Sequence, residues 1–121
     1  MFKVSIEDKI SAAHHLRGYE GKCAEPHGHN WKVIVRVMIE KLNNIGLAID
    51  FYDLRSITKG VVDKLDHKDL NELEYFSVEN PSSENIARFL YKNIKEQLPE
   101  NVQLAEIEVV ESEGCSIVYT E

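Results

Sequence analysis

Between His29 and Ile39 apolar side chains fall at every second position. Trp31, Val33, Val35, Val37 and Ile39 share one face, while Lys32, Arg36 and Glu40 lie opposite with Ile34 and Met38. A period of two marks a strand with one buried face. A weaker alternation opens the chain at Phe2, Val4, Ile6 and Ile10, interrupted by the charged run "EDK". After the turn residues of "KLNNIG" the period changes. Leu54, Ile57, Val61 and Leu65 recur at helical spacing, with Asp53 as the expected N-cap. A second helix is expected after "NPSSEN", with Ser82 or Ser83 capping it. Its apolar stripe is Ile86, Phe89, Leu90, Ile94 and Leu98, and Pro99 ends it. "AEIEVVE" and "CSIVYT", separated by "SEG", read as a hairpin. The order strand, strand, helix, helix, strand, strand predicts an α+β layer of four antiparallel strands with the helices on one face. Such a small sheet has edges that need cover, and self-association is one common solution.

Composition narrows the class. A chain of 121 residues, 43% hydrophobic and 29% charged, is expected to form a single globular domain over residues 1–121. The opening "MFKVSIEDKI" has no apolar signal core. No run approaches the roughly 18 apolar residues that a membrane span needs. The expected location is therefore the cytoplasm, with no membrane partner. A formal charge of −7, with Lys and Arg scattered among Asp and Glu, argues against broad nucleic-acid binding. The two cysteines, Cys23 and Cys115, are too few for a disulfide framework. Cys115 lies within an apolar run and is expected to be a packing residue.

The candidate chemistry is concentrated in "KCAEPHGHNW". Positions i and i+2 of a strand project to the same side, so His27 and His29 can point at one ion. Gly28 between them is expected to let backbone pass close by. Two ligands are too few for a stable zinc site, and "AAHHL" offers a third from a neighbouring strand, His14 or His15. Three neutral imidazoles with a vacant fourth position describe a catalytic zinc centre. The alternative is a histidine pair at a strand edge that binds nothing. Cys23, four positions before His27, is close enough to share the site as base or nucleophile, or is simply a small packed residue.

Two further places carry chemistry. In "LDHKDLN" a carboxylate, Asp66, precedes His67 and could orient it for acid–base work. Neighbours on a helix do not face each other, so the pair must sit at a helix end. Glu111 closes the run "IEVVE". A carboxylate there could accept two parallel N–H bonds from a guanidine-like ring edge, or be a solvated strand end.

Taken in order, "SAAHHL", "CAEPHGHN", "GLAIDFYDLR", "LDHKDLN", "NPSSENIA" and "VVES" resemble the 6-pyruvoyltetrahydropterin synthase family through nearly the whole chain. The resemblance is closest to its 6-carboxy-5,6,7,8-tetrahydropterin synthase branch, on the Cys-x3-His-Gly-His spacing and "IDF". It implies zinc held by His14, His27 and His29, a catalytic set of Cys23, Asp66 and His67, and Glu111 as the anchor of a pterin ring. Ser82, Ser83 and Glu84 fall in the segment that lines the pterin pocket. The implied fold is the tunnelling fold (T-fold), a four-stranded antiparallel sheet with two helices between the second and third strands. In the family such sheets assemble into a homohexamer, two stacked trimers with sites between subunits. The implied activity is a zinc-dependent carbon–carbon lyase. It would convert 7,8-dihydroneopterin triphosphate to 6-carboxytetrahydropterin, acetaldehyde and triphosphate, on the way to 7-deazaguanine (queuosine-type) nucleosides. Alternatives within the family are pyruvoyl-type synthesis or a folate-pathway side-chain lyase; a non-catalytic zinc- or pterin-binding module is the alternative outside it. Two positions depart from the pattern: Tyr52 stands where glycine is common, and Glu25 lies between the cysteine and the histidine pair. Some members use a glutamate near Glu25 for a different side-chain cleavage.

Overall fold

The computed structural model describes residues 1–121. Two long strands, β1 (Phe2–His14) and β2 (His27–Ile39), are followed by helices α1 (Phe51–Val62) and α2 (Ser83–Lys95), and then by β3 (Gln103–Ser112) and β4 (Cys115–Tyr119). The strands form one antiparallel sheet in the order β1-β2-β3-β4. Both helices pack against one of its faces. This is the T-fold arrangement that the sequence pattern and the resemblance lead one to expect. No helix is long and apolar enough to cross a membrane.

The alternation on β2 does what a period of two requires: Trp31, Val33, Val35 and Val37 are fully buried. Facing them across the β1–β2 ladder, Ile6 pairs with Val35 and Ile10 with Trp31. Each such buried aliphatic side chain contributes about 1.5–3 kcal/mol relative to exposure. β1 runs unbroken through the charged "EDK", where only the apolar alternation is interrupted, as the sequence pattern indicates. Glu7 and Lys9 point to the helix-free face, and the strand absorbs a half-buried Asp8 between Ile6 and Ile10. On β3 the alternation changes phase. Arg36 pairs with Glu106 but Val37 pairs with Leu104, so Ala105 is an extra residue that lets Leu104 and Ile107 both face the core.

Helix α1 is capped by Asp50, whose carboxylate accepts the Tyr52 N–H at 2.8 Å, and not by Asp53, which lies in the first turn. Phe51 and Tyr52 are exposed, which hides the true start from an apolar-stripe reading. The helix ends at Val62, yet Leu65 beyond it is fully buried. Helix α2 is capped by Ser82, whose hydroxyl accepts the Asn85 N–H at 3.2 Å.

The segment after α1 runs beside the outer edge of β1. Ser11 N–H donates to Asp66 Oδ1 at 2.8 Å, the His67 N–H donates to Ser11 O at 2.6 Å, and Ala13 N–H donates to Lys68 O at 3.0 Å. Residues 66–69 therefore cover the C-terminal end of one sheet edge. The outer edge of β4 has no strand beside it.

Candidate active site

The register of β1 against β2 places His14 directly opposite His27 and Ala12 opposite His29. All three histidines lie on the helix-facing side of the sheet, one turn of pattern beyond Ile10 and Trp31. Their ring centroids are 4.5 Å (His14–His27), 5.2 Å (His14–His29) and 4.8 Å (His27–His29) apart. One ligating atom from each lies within 4.8 Å of the others.

The hydrogen bonds assign the free nitrogens. His14 Nδ1 is 2.7 Å from the Pro81 carbonyl, and His27 Nδ1 is 2.8 Å from the Glu25 carbonyl. A carbonyl only accepts, so each Nδ1 carries the proton and each Nε2 keeps its lone pair. His14 Nε2 is buried and has no hydrogen-bond partner. An orphaned, buried lone pair is costly unless a cation takes it. Burial pushes the His14 pKa down and favours the neutral ring, against the Pro81 hydrogen bond that raises it. The donor set therefore fits a three-histidine metal site with outer partners that lock the tautomers. His15 takes no part; its backbone N–H is held by Asn71 Oδ1 at 2.8 Å.

A cavity of about 440 Å3 opens beside this cluster. His14, Cys23, His27, Ser82, Ser83, Glu84 and Glu111 all line it. Cys23 is half-buried, in a 3-10 turn (Lys22–Ala24) tied to the end of β1 by Leu16 N–H donating to Cys23 O at 2.8 Å. Glu111 lines the same cavity, its Oε1 3.9 Å from His29 Nε2 and accepting the Ser83 hydroxyl at 3.0 Å. Between Val110, paired with Ser116, and Ser112, paired with Cys115, Glu111 is an unpaired extra residue, the bulge of β3. Bulges commonly re-aim a side chain beside a functional site.

Two expectations change. Cys115 is exposed and lines the same cavity, because it begins β4 at the hairpin and is not within the core. Gly28 is not needed for a close approach within the chain: a Cβ there would meet the Ala12 carbonyl at an ordinary 3.7 Å. Glu25 is exposed and does not line the cavity; only its main-chain carbonyl reaches the site.

Asp66 and His67 form a pair of their own. Asp66 Oδ2 is 2.9 Å from His67 Nδ1, made possible because His67 adopts a left-handed backbone (φ 59°) past the end of α1. Burial acts to raise the Asp66 pKa, but the Ser11 N–H and His67 outweigh it and hold the carboxyl below the usual range. Neither residue lines the cavity of the same chain, and the His67 side chain is 80% exposed. The fold sets the pair on the β1 edge and Glu111 with Cys115 on the β3–β4 side.

A T-fold sheet carrying a three-histidine cluster beside a thiol and a carboxylate defines a class of small α+β enzymes. The sequence profile of the 6-pyruvoyl tetrahydropterin synthase family matches residues 3–121. A protein of Archaeoglobus fulgidus that carries the name of a 6-carboxy-5,6,7,8-tetrahydropterin synthase is 36% identical over 91% of this chain and 88% of its own length. The dihydroneopterin monophosphate aldolase of Pyrococcus furiosus is 34% identical over 90% of this chain and 89% of its own. The structure of 6-pyruvoyl tetrahydropterin synthase from Caenorhabditis elegans superposes with a TM-score of 0.84 at 26% identity, covering 100% of this chain and 97% of that one. The chain belongs to the 6-pyruvoyl tetrahydropterin synthase family. It is an enzyme of tetrahydropterin-synthase type, with lyase chemistry.

Proposed function

We infer that this protein is a zinc-dependent 6-carboxy-5,6,7,8-tetrahydropterin synthase. It acts on 7,8-dihydroneopterin triphosphate and releases 6-carboxytetrahydropterin, acetaldehyde and triphosphate, a step towards 7-deazaguanine nucleosides. The observation that carries this reading is the orphaned His14 Nε2, which clusters with His27 and His29 at the edge of a cavity that His14, His27 and Cys23 line.

His14, His27 and His29 would hold the zinc. Zinc bound there supplies Lewis-acid polarisation of oxygens on the substrate's side chain. Glu111 anchors the pterin ring through two parallel N–H bonds, which fixes the side chain over the histidines. Ser82 and Glu84, at the start of α2, border the same ring pocket. Cys23, as thiolate, takes a proton from the substrate side chain. His67, oriented by Asp66, delivers or removes protons in the complementary steps.

The last assignment needs a second copy of the chain. Asp66 and His67 lie away from the cavity, on the β1 edge, so they serve the site of a neighbouring copy. The unpaired β4 edge supports sheet-to-sheet association, and the family's homohexamer of two stacked trimers is the proposed assembly. The partners are thus the small-molecule substrate and further copies of this chain, in the cytoplasm.

A second reading has its own support. The aldolase relative from Pyrococcus furiosus is nearly as similar, and Glu25 stands between Cys23 and His27. The Glu25 side chain is exposed and not among the residues that line the cavity, which favours the cysteine-based reaction. Incubation with dihydroneopterin triphosphate and product analysis separates the branches. Acetaldehyde with the carboxy product supports the first reading, whereas a pyruvoyl product without acetaldehyde, or an aldolase-type product, overturns it.

A further inference from the structure

Three side chains from three different elements are joined in one hydrogen-bonded line. The indole Nε1–H of Trp31, on β2, donates to Ser83 Oγ at 3.1 Å. The Ser83 hydroxyl, in the first turn of α2, donates to Glu111 Oε1 at 3.0 Å. Chemistry fixes the direction, because an indole N–H can only donate. The serine oxygen therefore accepts on that side, and its single proton goes to the carboxylate. Trp31 is fully buried and Ser83 is 7% exposed, so the Trp31–Ser83 bond is shielded from water and both donors of the line are held inside the protein. Glu111, by contrast, is 39% exposed and sits on the bulge of β3.

We propose that Trp31 and Ser83 are positioning residues that set the rotation of the Glu111 carboxylate, so that Ser83 acts on the substrate through Glu111 and not by touching it. With one lone pair of Oε1 taken by Ser83, Oε2 and the other Oε1 lone pair remain for two parallel N–H groups of a planar 2-aminopyrimidinone ring edge. The proposal rests on Glu111 as ring anchor. The last torsion of a glutamate is broad, and a carboxylate on an unpaired bulge presents the right edge only part of the time. Fixing one oxygen from a buried donor removes that disorder before the ligand arrives. Ser82 is different: its oxygen caps α2, and its proton is not committed to Glu111.

The test measures affinity for a pterin that has no phosphate on its side chain, in metal-loaded protein with metal content held equal. Trp31 is the only tryptophan, so its indole N–H gives a single resonance in a 15N-correlated spectrum. Ser83→Ala is expected to weaken ring binding about tenfold, the scale of a hydrogen bond to a charged group. Ser83→Thr, which keeps the hydroxyl, is expected to stay within about threefold of wild type. Trp31→Phe weakens binding alone but adds nothing in the Ser83→Ala background. The indole resonance shifts on ring binding and in Glu111→Gln, and ring binding no longer moves it in Ser83→Ala. Additive effects of Trp31→Phe and Ser83→Ala overturn the proposal. So does an indole resonance unmoved by both ring binding and Glu111→Gln, a result that needs no change at Ser83. If Glu111→Gln loses affinity while Ser83→Ala binds as wild type, this inference fails and the ring anchor stands. If Glu111→Gln binds the ring as tightly as wild type, the anchor fails and this inference with it.

Discussion

His14 and His27 face each other across the β1–β2 ladder, and each has its Nδ1 tied to a main-chain carbonyl, Pro81 in one case and Glu25 in the other. Two Nε2 atoms are thereby aimed at one point before any ion arrives. Zinc is expected to bind near one equivalent per chain and to raise the melting temperature. At a free concentration about 100 times Kd the gain is about 2.7 kcal/mol. His14→Ala and His27→Ala should abolish both effects, measured by metal analysis and thermal melting with and without chelator. A wild-type chain whose melting ignores zinc would remove the centre from the scheme.

Cys23 lines the cavity without belonging to the three-histidine cluster. Cys23→Ala is therefore expected to retain the metal and lose turnover by about 10²–10⁴-fold, the range for loss of a general base. Turnover at the wild-type level would place the base elsewhere. Glu25→Gln, by the same geometry, is expected to leave turnover within about threefold of wild type, because its carboxylate lies outside the cavity.

The separation of Asp66 and His67 from the cavity makes a complementation test possible. Cys23→Ala and His67→Ala chains should each be inactive as pure assemblies. Unfolded, mixed in equal amounts and refolded together, they should recover about a quarter of wild-type activity, since random pairing of copies rebuilds that share of two-subunit sites. No recovery would mean that each chain completes its own site.

Asp66 also carries a pH signature. Its carboxyl is held below the usual range because the Ser11 N–H and His67 outweigh the effect of burial. A carboxyl depressed in the folded state contributes stability that is present above the ordinary aspartate value of about 3.9 and is lost as pH falls through the lower native value. Asp66→Asn should thus be less stable than wild type by about 1 kcal/mol at neutral pH. The difference should shrink as acid protonates Asp66, followed by denaturant titrations from neutral to strongly acidic pH. A difference that persists unchanged into acid would assign the cost to packing.

Much of this was legible in the chain because the sheet obeys its own period. Trp31 to Ile39 alternate without error, and the same phase carried back to His29 and His27 puts both on the core-facing side. What stayed hidden depends on docking between distant segments. Asp50 was concealed as the α1 cap by the exposed Phe51 and Tyr52. The contact from Ser83 to Glu111 joins residues 28 apart in sequence, and nothing local to either announces it. Cys115 reads as a packing residue because it opens the apolar run "CSIVY", but β4 is an edge strand with no fully buried residue, and the hairpin leaves its first residue lining the cavity. That Asp66 and His67 lie along the β1 edge while Glu111 lies beside β4 is a matter of topology, which one strand's pattern does not contain.

The thirteen-pair ladder between β1 and β2 has one more effect. A slip of one residue would turn Ile6 and Ile10 out to solvent, at about 1.5–3 kcal/mol each, in the same motion that swings His14 to the far face. A misaligned histidine cluster is thus also a poorly folded sheet. The protein proofreads its chemistry with its oiliest residues, and an insertion or deletion anywhere along β1 is expected to fail first as a folding defect and only secondarily as an enzyme.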